Sequence, residues 1–160
     1  MTYIVVPSPS GSVSISLPDL VPITDGTTPA VGQVGYLTSA TQAALTGAGV
    51  GATNTWGSVI SLALPAGVWE IQGLAQISEA TAFLSEFFRA GVSDSATGLG
   101  ISAFEYTQNA PVLTGQPIQV LTPVKRVSIA IPTTFYLNTY FIYASGTPEH
   151  AGILWAMRYS

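Results

Sequence analysis

The sequence predicts an all-β protein: an antiparallel β-sandwich or jelly roll of about eight strands with an extended N-terminal arm. Three observations predict it. Segments rich in β-branched and aromatic residues recur along the chain, Thr134–Ala144 being the densest. Turns containing Gly and Pro separate them at irregular spacing, as at Pro65-Ala66-Gly67 and Ser145-Gly146-Thr147-Pro148. Helical periodicity is scarce, and no internal repeat stands out.

The elements follow in order. Residues 1–31 read as an arm, and 32–160 as the jelly-roll domain. In the arm, Tyr3, Ile4, Val5 and Val6 form a short apolar run, and Pro7–Ser12 is a break. Val13, Ile15 and Leu17 then alternate with serines, the pattern of a strand with one apolar side. Such a strand before a Pro-rich tether either adds to the edge of a neighbour's sheet or forms the outer strand of its own. Val34–Thr38 is the first strand of the domain, and Thr46–Gly51 is a small-residue loop. Thr53–Leu64 and Val68–Ile77 are strands joined by the Pro65-Ala66-Gly67 turn. In the second, Trp69, Ile71, Gly73, Ala75 and Ile77 oppose Glu70, Gln72 and Gln76, so one face is buried.

Ser78–Leu84 fits a short helix or a loop. Phe83–Val92 fits a strand, yet Phe83, Leu84, Phe87 and Phe88 also fit helical spacing; the β surroundings favour strand. Ser93–Gly100 is a loop, Ile101–Tyr106 a weak strand, and Asn109–Thr122, with Pro111 and Pro117, a loop. Val124–Ile131, Thr134–Ala144 and Gly152–Tyr159 complete the set. In the last, Ile153, Trp155, Met157 and Tyr159 share a face, and Trp155 is expected to be buried. Thr134–Ala144 is apolar or aromatic on nearly every position of both faces, whereas a half-wet antiparallel strand alternates. Something must cover its second face, and a neighbouring subunit is the expected cover. Tyr136, Tyr140, Phe141 and Tyr143 are the candidate interface residues.

A chain of 160 residues suits one domain that buries roughly 70% of its extended-chain surface. The chain has no Cys, so it uses neither disulfides nor thiolate metal sites, and its redox compartment stays open. Charged residues are 8% of the chain against a usual ~25%. A surface so poor in charge fits a chain whose faces are covered in an assembly. Arg89, Lys125, Arg126 and Arg158 are the only basic side chains, and the net charge is -4. Phosphate contacts dominate nucleic-acid affinity, so nucleic acid and anionic membranes are not expected partners. Met1–Pro7 lacks a basic region and a long apolar run, so no signal peptide is expected, and no stretch approaches the ~20 apolar residues of a membrane helix.

Catalytic and metal constellations are scarce. His150 is the single histidine, and a zinc site needs several N or S donors. Three copies of His150 about an axis would build one, but a solvated residue in the polar turn Ser145–His150 is the expected role. Glu149 is poorly placed to orient it, because adjacent strand residues point apart. Asp25 and Asp94 stand alone, short of a calcium cage. There is no G-x-S-x-G elbow, and Glu70, Glu79, Glu86 and Glu105 fall on different elements, with no spacing that pairs two carboxylates. Gly47–Gly51 lacks the lysine of a phosphate loop. Tyr106, Trp155 and Tyr159 are candidates for sugar stacking, with core or interface the commoner use. No catalytic residue, cofactor site or metal site is expected.

From Val31 onward the chain resembles a bacteriophage module, the trimeric jelly-roll head of tail fibres, head fibres and related virion proteins. Gly32-Gln33-Val34-Gly35-Tyr36-Leu37 is similar to its opening strand, and Ser58–Gly73 resembles its "sisLtaGdWdvsG" hairpin. Ser128-Ile129-Ala130, Thr134–Leu137 and Ala144–Thr147 resemble its "isl…tvyL…a.FsgGt" run, and Gly152–Arg158 its closing "ayG.I.ArR" strand. The resemblance implies a homotrimer of jelly rolls in a virion, made in the host cytoplasm and not an enzyme. In that family the module ends a longer fibre; here only a short arm precedes it, which favours a capsid decoration protein or short head-fibre knob. The arm residues Tyr3, Ile4, Val5, Val6, Val13, Ile15 and Leu17 are then expected to dock on other virion proteins, the major capsid protein foremost. A receptor-binding fibre tip is the alternative. It would read a host surface glycan through Ser93–Gly100 and Ala110–Gln116. A glycan-cleaving enzyme is a remote third.

Overall fold

The computed structural model describes residues 3–8, 11–16, 34–46, 50, 52, 54–79, 85–98, 104–108, 117–143 and 148–159. Among them all regular elements are strands. They are β1 (Tyr3–Ser8), β2 (Gly11–Ser16), β3 (Leu37–Thr46), β4 (Thr55–Leu64), β5 (Gly67–Glu79), β6 (Ser85–Ser93), β7 (Phe104–Gln108), β8 (Ile118–Leu121), β9 (Lys125–Ile129), β10 (Thr133–Tyr143) and β11 (Pro148–Arg158). One sheet has the order β4-β10-β6-β7; the other has the order β3-β11-β5-β8, with β9 also on β5. β8 meets Leu74–Ile77 and β9 meets Gly67–Ile71, so the two share one strand position end to end. Eight positions result, all antiparallel. The first pairs with the last, the second with the seventh, the third with the sixth and the fourth with the fifth. That nesting is a long hairpin rolled into two sheets, a jelly roll.

Alternation explains the layers. On β5, Trp69, Ile71, Ala75 and Ile77 are fully buried while Glu70, Gln72 and Gln76 are not. They meet Leu64, Phe88, Val92, Phe135, Leu137, Phe141 and Leu154 in one core between the sheets. The β4–β5 turn is closed by the Trp69 indole, which donates to the Pro65 carbonyl at 3.0 Å. Tyr36 meets the same indole edge-on. Gly67 holds φ at 149° in that turn, a backbone open to glycine. Leu137 of β10 packs against both Gly73 and Gly152; a Cβ on either glycine would lie 2.7 Å from a Leu137 methyl.

β8 and β9 are separate because Pro123 has no N–H to give the ladder. Thr122 substitutes: its N–H donates to the Gly73 carbonyl at 2.8 Å, and its hydroxyl accepts from the Gly73 N–H at 2.8 Å. Several boundaries differ from the sequence reading. Val34–Gly35 is a turn, with Gly35 at φ 82°, so the first strand of the domain starts at Leu37 and runs on to Thr46. Ser78 and Glu79 prolong β5, and the rest of Ser78–Leu84 lies outside the described residues. The expected loop Asn109–Thr122 contains β8. The last strand begins at Pro148, inside the expected polar turn. Ser85–Ser93 is a strand, as the β context favoured. The Thr46–Gly51 loop and the 109–116 segment fall largely or wholly outside the described residues.

The arm strands pair with each other. β1 and β2 form a two-stranded sheet of their own, with Tyr3 opposite Ser16 and Ser8 opposite Gly11. Among the described residues the arm's strands pair with neither sheet of the sandwich.

Candidate interaction surfaces

The outer face of β10 carries Tyr136, Asn138, Tyr140 and Ile142. It is partly covered, and the cover comes from the same chain. Asn138 is fully buried, and its amide donates to the carbonyls of Ser95 at 2.7 Å and Gly98 at 3.1 Å and to the Ser93 hydroxyl at 3.2 Å. The turn from Ser93 to Gly98 is thereby strapped across the middle of the strand. The Ser93 hydroxyl lies 2.7 Å from the Gly98 carbonyl and accepts from the Ser95 N–H at 3.1 Å. Beyond it, Tyr140 stacks at a tilt on Trp56 with centroids 5.2 Å apart, and the Arg89 guanidinium lies 5.6 Å from its ring. The Tyr140 hydroxyl donates to Asn54 Oδ1, and Asn54 holds a positive φ of 66°. Tyr136, Tyr140 and Ile142 remain half-buried.

The proposed interface residues therefore separate. Tyr136 and Tyr140 lie on the outer face. Phe141 is 1% exposed and belongs to the protomer's own core, and Tyr143, past an irregularity in the β6–β10 register, packs against that core. Phe141 is out of reach of a neighbour in this fold.

Of the candidate docking residues, Tyr3, Ile4, Val5 and Val6 lie on β1 and Val13 and Ile15 on β2; Leu17 is outside the described residues. The register sets Ile4 opposite Ile15 and Val6 opposite Val13.

His150 is not a solvated loop residue. It is fully buried in β11, and its Nδ1 lies 2.8 Å from the Thr139 hydroxyl of β10, a hydrogen bond that ties the two sheets together. The reason is register: His150 pairs with Ile77, inside the sheet. Glu149 is half-buried beside it. No group of three or more His, Cys, Asp or Glu able to hold a metal occurs among the described residues. Tyr106 lies on β7 opposite Ala90, and its 101–103 lead-in is outside the described residues.

A second surface differs from the sequence expectation. Ile153, Trp155 and Met157 share a face of β11 as expected, but that face is the outer one, and Gly152, Leu154 and Ala156 point to the core. Trp155 is half-buried rather than buried. Both faces of this strand are apolar, so alternation alone does not say which is inside.

No protein-family model matches the sequence, and no curated protein matches it significantly. Among solved structures, the chain is similar to that of infectious bursal disease virus strain Gx, at 11% identity and TM-score 0.47 over 98% of this chain and 38% of that one. It is also similar to the VP2 subviral particle of infectious bursal disease virus, at 14% identity and TM-score 0.45 over 78% of this chain and 31% of that one. The chain thus spans less than two-fifths of those proteins' length. Strand order and register, not this likeness, define the fold.

Proposed function

We propose that the protein is a non-enzymatic structural component of a bacteriophage virion: a homotrimeric capsid decoration protein or short head-fibre knob that docks through its N-terminal hairpin and stabilises the particle. The observation that carries this is where the resembling residues fall. Pro65-Ala66-Gly67 and Trp69 close the β4–β5 turn, Gly73 and Gly152 admit Leu137 between the sheets, and Gly152–Arg158 is the strand laid between β3 and β5. These are the framework points of a jelly roll, so the resemblance rests on residues the fold needs together. The charge-poor composition supports a chain with much of its surface covered. The two-stranded sheet that β1 and β2 form by themselves supports a separate attachment element. His150, enclosed between the sheets, is not presented to a substrate.

The test is particle association. The chain lacking residues 1–20 should fail to bind particles stripped of this protein, while keeping the oligomeric state of the full chain. Undiminished binding would overturn docking through the hairpin. One observation favours a second reading, recognition of a host surface glycan: Trp56, Tyr140 and Arg89 form a partly open aromatic row close to the Ser93–Gly98 turn. Binding of the purified protein to host cells, lost in Trp56→Ala, would support it over the decoration role.

A further inference from the structure

The outward face of the β3-β11-β5-β8 sheet is apolar along its centre. Leu37 is 55% exposed, Leu121 51%, Met157 38% and Ile153 36%. Leu74 and Trp155 stand half-buried among them. The register makes these side chains contiguous. Leu37 is opposite Met157; Ile153 is opposite Leu74, which is opposite Leu121; Trp155 stands between Ser39 and Gln72. Scattered exposed apolar residues are ordinary, but a continuous patch across four strands marks an interaction surface.

We propose that this face is where copies of the chain meet, packed against the same face of neighbouring copies. Three observations select a copy of the chain as the occupant. The first is charge. The face's central rows hold neutral Ser39, Thr41, Gln72, Gln76 and Gln119; Glu149 lies opposite Ser78 at one end, and Glu70 opposite Arg126 at the other, where the guanidinium stacks 3.9 Å over Tyr159. The charges thus lie at the ends of the face, and a centre that is neutral and holds Trp and Met has the composition of an interface centre. The second is relief. The Ile153–Trp155 ridge runs between two hollows. One includes Ala43, Ala151 and Gly152; the other lies among Leu37, Val124 and Met157. A face with both ridge and hollow can complement itself. The third is extent. Four strands ~4.8 Å apart and ~10 residues long at ~3.3 Å each give a footprint of roughly 600 Å². A stable interface takes about 800 Å² of accessible surface from each partner, and a corrugated face has more accessible surface than its flat footprint. A short peptide or sugar would leave much of it wet.

The inference takes the number of copies from the homotrimer reading above, but not the face. The face differs from the one the sequence pointed to, since the outer side of β10 is strapped by the chain's own Ser93–Gly98 turn.

The test uses the full chain and light scattering on a sizing column, with circular dichroism to confirm folding. Trp155→Glu and Leu121→Glu on this face should each raise the concentration for half-dissociation at least tenfold, whereas Tyr136→Glu on the other sheet should leave it unchanged. Leu121 is on the open surface, so its variant keeps the test sound if Trp155→Glu fails to fold. Folded variants at this face that associate as the wild type does would overturn the proposal, as would a wild type monomeric through the micromolar range. Loss of association on deleting residues 1–16 alone would overturn it too, by assigning the face to the hairpin. Dissociation of a wild-type dimer by these variants would uphold the face and overturn the three-fold reading.

Discussion

At the scale of single residues, two glycines make the room that Leu137 fills. The two are not equivalent. A Cβ at Gly73 meets side-chain methyls of Leu137 and Val92, at 2.7 and 3.3 Å, which can shift. A Cβ at Gly152 meets Leu137 at 2.7 Å and also the Leu74 carbonyl oxygen at 2.7 Å, which is backbone in the same sheet and can move only with its strand. Overpacking a core costs about 1–3 kcal/mol. Gly152→Ala is expected in the upper part of that range and Gly73→Ala in the lower part, read as shifts in urea midpoint at fixed protein concentration. Equal midpoints for the two would contradict the geometry.

At the scale of elements, β5 and β10 show what was legible in the sequence and what was not. The apolar face of β5 was readable because Glu70, Gln72 and Gln76 mark the opposite side. β10 was readable as apolar on both faces, but not what covers the second one. The cover depends on Asn138 meeting a turn some 40 residues earlier in the chain, a pairing no local pattern encodes. The faces of β11 are not legible, because Leu154 and Ala156 are as apolar as Ile153 and Met157. Pro148 reads as a breaker and so puts His150 in a turn, yet a proline at the first residue of a strand is tolerated. The Asn138 strap makes a prediction of its own. Asn138→Ala removes the donor shared by Ser93, Ser95 and Gly98, leaving these oxygens without it at a cost of about 1–3 kcal/mol. The 93–98 backbone should then exchange its amide hydrogens and be cut by protease faster than in the wild type, while β5 and β11 keep their protection. Unchanged exchange in that turn would mean the strap does not hold it.

At the scale of the whole molecule, the nested pairing makes stability a property of both sheets at once. β11 lies between β3 and β5 and β10 between β4 and β6, so neither sheet is complete until the last two strands are placed. Thr139 and His150 then join those two strands across the core. Such a body should unfold as a unit, and anything bound only by the folded form then stabilises all of it by mass action. Self-association is that case. For a folded trimer in equilibrium with unfolded chains, a tenfold rise in concentration adds about 0.9 kcal/mol per protomer, two-thirds of the free energy of a tenfold change. In a domain of this size that is roughly 2–4 °C of melting temperature. The wild type should show this rise for each decade of concentration, and Trp155→Glu should melt at one temperature up to its own, higher half-dissociation concentration. A wild type whose melting temperature is flat across two decades unfolds as single chains, and its apolar sheet face then serves a partner other than itself.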